Sequence, residues 1–310
     1  MAAGQAVEVD GRELSLTNLD KVLYPSNGFT KGEVIDYFAR IAPVILPHLK
    51  GRPLTLRRFP EGVDASSFFE KRCPKHRPEW VATAAVWSQR EGGEIEFCVC
   101  EDKPTLVWMA QLAALELHPS LSIAKRMQRP TVLAFDLDPG EPADVIDCAH
   151  VAIEVRKLFG DLGLESFAKT SGGKGLQVYV PLNKSAAYST TKPYAQAVAK
   201  ALEATHPDRI VSRMSKQARR GKVFVDWSQN TESKTTIAVY SLRARERPTV
   251  STPLEWKEVE RAAKSGKADP IQFETKDVLK RVEKHGDLFA PVLELKQTLP
   301  KLAKLTGDAD

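Results

Sequence analysis

The chain has 310 residues, 42% hydrophobic and 27% charged, with a formal net charge of +5. The mild basic excess admits a nucleic-acid partner without demanding one. Residues 1–11 lack the basic start and apolar core of a secretory leader, and the longest apolar stretch, residues 106–117, carries Gln111 and Glu116 and is too short to span a bilayer. No membrane partner is expected, the cytosol is the default, and the four cysteines are expected to be reduced.

After a short strand-like piece from residue 13, Thr30 caps a helix in which Val34, Tyr37, Phe38, Ile41 and Val44 recur at helical spacing. Residues 52–59 alternate as a strand closed by a Pro60-Glu61-Gly62 turn. Residues 93–117 read as a strand and then a helix, with His118 at the helix end. Residues 131–138 form a strand, and residues 142–158 an amphipathic helix with Val145, Ala149, Ala152 and Val155 on one stripe. A Gly-rich stretch leads into a strand over 176–181, and a helix covers 192–203. Strands follow over 223–227 and 235–242. After Thr252-Pro253, read as a capped helix start, the chain is mainly helical and charged. This order lacks a clean βαβ rhythm, so the expected class is α/β of the α+β kind, with mixed, largely antiparallel sheets flanked by helices.

The chemistry concentrates at strand ends. In Val132-Leu133-Ala134-Phe135-Asp136-Leu137-Asp138-Pro139, strand alternation points Asp136 and Asp138 one way and Phe135 and Leu137 the other. Asp226 closes a second apolar run, residues 222–227. Adjacent carboxylates repel, and divalent cations relieve the repulsion. Two such ions ~3.5–4 Å apart align a nucleoside triphosphate with an attacking hydroxyl. Strand-end punctuation before Pro139-Gly140 is the alternative reading. Ser171-Gly172-Gly173-Lys174-Gly175 reads as a phosphate cradle or as a hairpin turn: its glycines free backbone N–H groups, but they lead into a strand and are not a Walker loop. Arg213, Lys216, Arg219, Arg220, Lys222, Lys234, Arg243 and Arg245 cluster in sequence around Asp226, with a solvated basic face as the alternative. Phe68 and Phe69 suit either packing or base stacking. Cys73-Pro-Lys-His76 has finger-like spacing, but Cys98-Val-Cys100 is one residue short of the usual pair, so packing is preferred to zinc.

Taken in order, the segments Leu16 to Pro25, Phe68 to Lys71, Glu116 to Pro119, Phe135 to Gly140, Ser171 to Leu176, Val225 to Asn230 and Tyr240 to Arg245 resemble the polymerase domain of bacterial ligase D. That domain is a branch of the archaeo-eukaryotic primase superfamily, and the resemblance covers residues 13 to about 300. It implies one primase-polymerase domain over 1–310, with a 5′-phosphate-binding N-terminal part (1–130), a catalytic core (131–250) and a helical C-terminal extension (251–310). Asp136, Asp138 and Asp226 would be metal-binding carboxylates for two Mn²⁺ or Mg²⁺ ions. Ser171 and Lys174 would hold the triphosphate of an NTP or dNTP, with Gln177, Arg219, Lys234, Arg243 and Arg245 around it, and His118 would lie near the sugar. Lys21 and Lys31 match lysines that grip a 5′-phosphate across a gap, and Phe68 and Phe69 match aromatics that stack at the DNA end. Two positions depart from the family pattern: Gln177 where histidine is usual, and Ser120 where tryptophan is usual.

The implied activity is template-dependent polymerisation that fills short gaps in end joining or excision repair, with ribonucleotides favoured. Implied partners are gapped or broken DNA, a separate ligase recruited by a free-standing protein, and an end-binding factor. The implied location is the bacterial cytoplasm, at the nucleoid. The rivals are a two-metal nuclease and a non-catalytic DNA-end binder that recruits a ligase.

Overall fold

The computed structural model describes residues 4–184 and 186–302. The chain divides into two compact units, one comprising residues up to 125 with 235–251 and 273–286, the other residues 126–234, 252–272 and those from 287 onward.

In the first unit, hairpins β1 (Gln5–Val9)/β2 (Arg12–Leu16) and β3 (Val22–Tyr24)/β4 (Phe29–Thr30) precede helix α1 (Lys31–Leu49). α1 starts at the expected cap: Thr30 Oγ1 accepts from the Glu33 N–H, and the Glu33 carboxylate accepts from the Thr30 N–H. β5 (Leu54–Arg58) is the hub of the larger sheet. It pairs with β6 (Phe68–Glu70) and with β8 (Gly93–Cys98), which also pairs with β7 (Thr83–Ser88). After helix α2 (Lys103–Gln111), β9 (Ala114–Pro119) also joins β5.

Three local expectations are corrected in or beside this unit. The helix expected through residue 117 stops at Gln111, and Ala113 (φ +56°) turns the chain into β9, so His118 is a strand residue. Residues 114, 115 and 117 are all fully buried, and an apolar run buried on both faces has no period to separate strand from helix. The strand expected over 235–242 forms no ladder. Ala238 N–H donates to the Leu117 carbonyl at 2.8 Å, but Ser241 Oγ takes the Leu117 N–H and Tyr240 sits at φ +65°. Finally, Cys73 and Cys98 form a disulfide with Cα atoms 4.8 Å apart, where reduced thiols were expected. The Cys73 N–H donates to the carbonyl of Glu96, which brings the two cysteines within bridging distance. Cys100 and Cys148 are free and buried.

The second unit is built on β10 (Val132–Pro139). Helix α3 (Val145–Asp161), the hairpin β11 (Phe167–Thr170)/β12 (Leu176–Pro181), helix α4 (Tyr188–Thr205), β13 (Ile210–Val211), β14 (Val223–Asp226) and β15 (Pro253–Leu254) follow. The sheet order is β13-β14-β10-β12-β11-β15, antiparallel except between β13 and β14. This is the expected mixed, largely antiparallel architecture. α3 covers one face: the Phe135 ring lies 5.6 Å from Phe159, and Cys148 Sγ donates to the Leu137 carbonyl. Asp136 and Asp138 point to the other face. Thr252-Pro253 starts no helix. The Thr170 N–H donates to the Thr252 carbonyl at 2.8 Å, and Pro253 lies on an edge strand, where its missing N–H is harmless. Helix α5 (Trp256–Ser265) begins three residues later; α6 (Thr275–His285) belongs to the first unit and α7 (Pro291–Glu294) to the second. Among the described residues no helix is long and apolar enough to cross a membrane.

One buried side chain braces β10. Asn230 is fully buried; its Oδ1 accepts from the Ala134 N–H at 3.0 Å and its Nδ2 donates to the Ala134 carbonyl at 2.8 Å. Asn230→Leu leaves both backbone groups buried and unpaired, so a destabilisation of roughly 2–4 kcal/mol in urea titration is expected.

Candidate metal and nucleotide site

The register of β10 with its two neighbours builds the acidic site. Asp136 lies opposite Asp226 of β14 on one side and opposite Gln177 of β12 on the other, and Gln177 in turn lies opposite Lys169 of β11. Directly opposed residues share a face, so Lys169, Gln177, Asp136 and Asp226 form one row across four strands, with Asp138 two residues along from Asp136. The adjacent strand positions Phe135, Leu137, Val178 and Val225 are all fully buried, which fixes the register: a one-residue slip would turn the acids into the core.

Each acid has a distinct environment. Asp136 Oδ1 is buried without a hydrogen-bond partner. Burial first, and then the charges of Asp138 and Asp226, push Asp136 up to about 7 against the opposing pull of Gln177 and Lys169. Asp226 is held as a cap on the turn Trp227–Gln229. Its Oδ1 accepts from the Ser228 N–H (2.8 Å) and Ser228 hydroxyl (2.6 Å), and its Oδ2 from Gln229 Nε2 (2.8 Å). The Lys234 ammonium donates to Ser228 Oγ, so it reaches Asp226 through one hydroxyl. A carboxylate has about four lone-pair sites, so three bonds leave Asp226 room for a cation. Among the described residues no three His, Cys, Asp or Glu side chains stand in ready-made metal geometry. The donor set nonetheless fits a hard divalent cation: an orphaned oxygen on Asp136, two further carboxylates in the same row or one turn of strand away, and no soft ligand among them.

Residues 171–175 form the hairpin loop between β11 and β12, so the turn reading is geometrically right and leaves the cradle reading open. Ser171 Oγ accepts from the N–H groups of Gly173 (3.2 Å) and Gly175 (3.3 Å), which leaves its own proton to donate. A Cβ at Gly175 would collide with the Leu137 carbonyl, so the loop closes onto the strand between the two aspartates only because residue 175 is glycine. Lys174 is exposed and pairs with Glu141 at 3.0 Å. Gln177 is 3% exposed and hydrogen-bonds Asp136, and its Oε1 accepts from the Tyr179 hydroxyl at 3.4 Å. Arg219 lies 3.7 Å over the Phe224 ring, on a turn locked to Gly140, whose N–H and carbonyl bond Lys222 and Gly221 at 2.9 Å each.

The other expected residues fall in the first unit. The β3–β4 hairpin brings Lys21 and Lys31 together, with the Lys31 N–H donating to the Lys21 carbonyl at 2.8 Å. Lys31 Nζ donates to the Thr17 carbonyl (2.8 Å), and Lys21 pairs with Glu61 (2.7 Å). Burial, and then the charges of Lys21 and Arg58, lower Lys31 to about 8. Phe68 and Phe69 are 45% and 60% exposed on edge strand β6, stacked against Arg58 and Arg57 respectively. His118 Nε2 lies 3.1 Å from Glu116 Oε2, and burial holds His118 below its ordinary value. Arg243 and Arg245 lie in this unit, where Arg243 Nε pairs with Glu116 Oε1 at 3.2 Å.

Sequence reasoning missed Lys169, Ser228, Gln229 and Glu116 as site residues. Lys169 is fully buried in the acidic row, with its ammonium 5.5 Å from the Tyr179 ring centre. Its signal was a charge inside an otherwise apolar strand segment. Asp226 followed two residues later by Ser228 was a legible cap. Asp136→Asn tests the charge balance of the row. Its proton, bound more tightly in the folded than in the unfolded protein, supports the fold fully below about pH 4 and is lost as pH rises through about 7. Metal-free Asp136→Asn is therefore expected to be more stable than wild type by about 1–3 kcal/mol near pH 8. Mn²⁺ should raise the melting temperature of the wild type and not of the variant.

Residues 30–289 match the family described as "LigD, primase-polymerase domain". The multifunctional non-homologous end joining protein LigD of Mycolicibacterium smegmatis is 42% identical over 283 residues, 89% of this chain and 36% of that protein. The bifunctional non-homologous end joining protein LigD of Bacillus subtilis is 34% identical over 278 residues, 89% of this chain and 44% of that protein. The chain thus spans less than half the length of these relatives. The solved polymerase domain from Mycobacterium tuberculosis ligase D in complex with DNA superimposes with a TM-score of 0.83 at 40% identity, over 92% of this chain and 99% of that one.

Proposed function

This chain belongs to the LigD primase-polymerase domain family, a family of DNA nucleotidyltransferases, and from that premise we propose that it is a template-dependent polymerase that fills short gaps at broken or excised DNA. The observation that carries this reading is the placement of Asp136 between Asp226 and Gln177, with Asp138 on the same face. Divalent-metal dependence goes with the family; that the ions are two, and manganese by preference, is part of the proposal. Asp136, Asp138 and Asp226 would hold them. When bound, such ions supply Lewis-acid activation of the primer hydroxyl and neutralisation of the departing pyrophosphate.

The primer 3′-oxygen bonds to the α-phosphorus of the incoming nucleotide as the bond to pyrophosphate breaks. The chain's own residues position the participants for this step. Gln177 and Tyr179 orient Asp136, and Ser228 and Gln229 orient Asp226, so both carboxylates are set before substrate arrives. Ser171 would donate its hydroxyl proton to a phosphate oxygen, and Lys174 would exchange Glu141 for the triphosphate. Roles for Arg219, Lys234, Arg243 and Arg245 toward the triphosphate, and for His118 toward the sugar, carry over from the family resemblance, as does a preference for ribonucleotides. Lys21 and Lys31 would take the downstream 5′-phosphate, and exposed Phe68 and Phe69 would stack on bases. A ligase and an end-binding factor are the partners this activity calls for, in the cytoplasm at the nucleoid.

Primer extension on a gapped duplex with a downstream 5′-phosphate, Mn²⁺ and either NTPs or dNTPs tests the reading. Extension is expected with wild type and loss of at least about 10³-fold with Asp136→Ala/Asp138→Ala. Gap binding by both proteins without extension by either would make the chain an end binder. Lys31 must be charged to hold a phosphate. The preference for a 5′-phosphorylated over an unphosphorylated gap should therefore decline as pH rises through about 8, and Lys31→Arg should retain it.

A further inference from the structure

The first unit carries its own row of chemistry. Arg57 of β5 lies opposite Glu116 of β9 on one side and opposite Phe69 of β6 on the other. His118, two residues from Glu116 on the same face, reaches Phe69 diagonally, with ring centres 5.7 Å apart. Glu116 is 1% exposed and has four partners. Its Oε1 accepts from the Ala244 N–H (3.1 Å) and pairs with Arg243 Nε (3.2 Å), and its Oε2 faces His118 Nε2 (3.1 Å) and the Arg57 guanidinium (3.5 Å). Burial alone would push Glu116 up, but the His118 hydrogen bond and the Arg243 charge outweigh it and hold it at about 2. The carboxylate is therefore ionised while His118 is held neutral, which assigns the Nε2 proton to the bond between them.

We propose that Glu116 is a positioning residue for the incoming nucleotide, its buried carboxylate clamping His118, Arg243 and Arg57 into one constellation. The proposal rests on the reading above in which His118 and Arg243 touch that nucleotide. Three features separate this from a merely structural ion pair. First, a buried charge network is a poor source of stability, since well-packed apolar residues do as well or better. Second, Arg57, Arg243 and Arg245 approach one another around a single carboxylate, so the cluster keeps a positive surplus; burial and the neighbouring Arg243 and Arg57 charges depress even Arg245. Third, the row opens outward, from Glu116 at 1% through Arg57 at 32% to Phe69 at 60% exposure. A buried anchor, an unneutralised cationic rim and an exposed ring suit an anionic ligand with a flat base. Glu116 also joins β9 to residues 243–244, two segments far apart in the chain.

The test is steady-state primer extension with full-length wild type, Glu116→Gln, His118→Ala and their double variant, alongside gapped-DNA affinity and melting temperature. Glu116→Gln is expected to raise the nucleotide KM about tenfold with kcat changed less than about threefold and DNA affinity unchanged. The double variant should be no more than about twofold worse than the more impaired single variant, because both act through one unit. Glu116→Asp keeps the charge but draws it back by one methylene. It should fold if Glu116→Gln does not, and it should show the same KM-dominated defect in milder form. A wild-type KM in Glu116→Gln or in a folded Glu116→Asp, or multiplicative effects in the double variant, would overturn the proposal while leaving the nucleotide-contact reading intact. A normal KM in both His118→Ala and Arg243→Ala would overturn both.

Discussion

The site depends on one constraint, the antiparallel register of β10 between β12 and β14. It sets Asp136 opposite Asp226 and beside Gln177, a like-charge arrangement that no local preference would favour. The register is bought by apolar side chains on the opposite face, where Phe135 and Leu137 pack under α3. Other features serve the same end. Asn230 substitutes for a strand partner at Ala134, Gly175 lets the β11–β12 loop close on Leu137, and Gly140 lets the turn bearing Arg219 lie against the end of β10. Within the row, burial first and then the charges of Asp138 and Asp226 make Asp136 hold its proton more tightly than a free carboxylate does.

The two units show opposite charge logic by the same structural means. In the second, a row across the sheet gathers carboxylates and leaves one Asp136 oxygen buried without a donor, an arrangement suited to cations. In the first, a row across the sheet gathers guanidinium groups around one carboxylate, an arrangement suited to anions. The β3–β4 hairpin adds a second cationic point, where two lysines ten residues apart are brought side by side, and burial first, then the charges of Lys21 and Arg58, lower Lys31. Each row places its chemistry on strand positions, whose backbone is held by ladder hydrogen bonds, and leaves the orienting contacts to neighbouring strands.

Much of this was legible in the chain. Alternation around Asp136 and Asp138 announced their shared face, the Thr30/Glu33 box marked the start of α1, and the ordered motifs named the family. The misreadings share a cause. Residues 114–119 and 235–242 are buried on both sides, so they carry no period, and what decides their form is a long-range partner: β5 for one, Ser241 Oγ and the φ of Tyr240 for the other. Thr252-Pro253 looked like a helix cap because the edge of β11, which captures it, lies more than 80 residues earlier in the chain.

By itself the sequence determined which residue types were present to do chemistry, which of them share a strand face, and the fold class they imply, because side-chain alternation and capping are local geometry. Only the tertiary structure decided who faces whom. Asp226 joins Asp136, Gln177 turns inward to Asp136, Arg243 joins Glu116, and Cys73 meets Cys98. Those pairings follow from strand register and burial, which balance every apolar contact across a sheet at once and so are written in no single stretch of the chain.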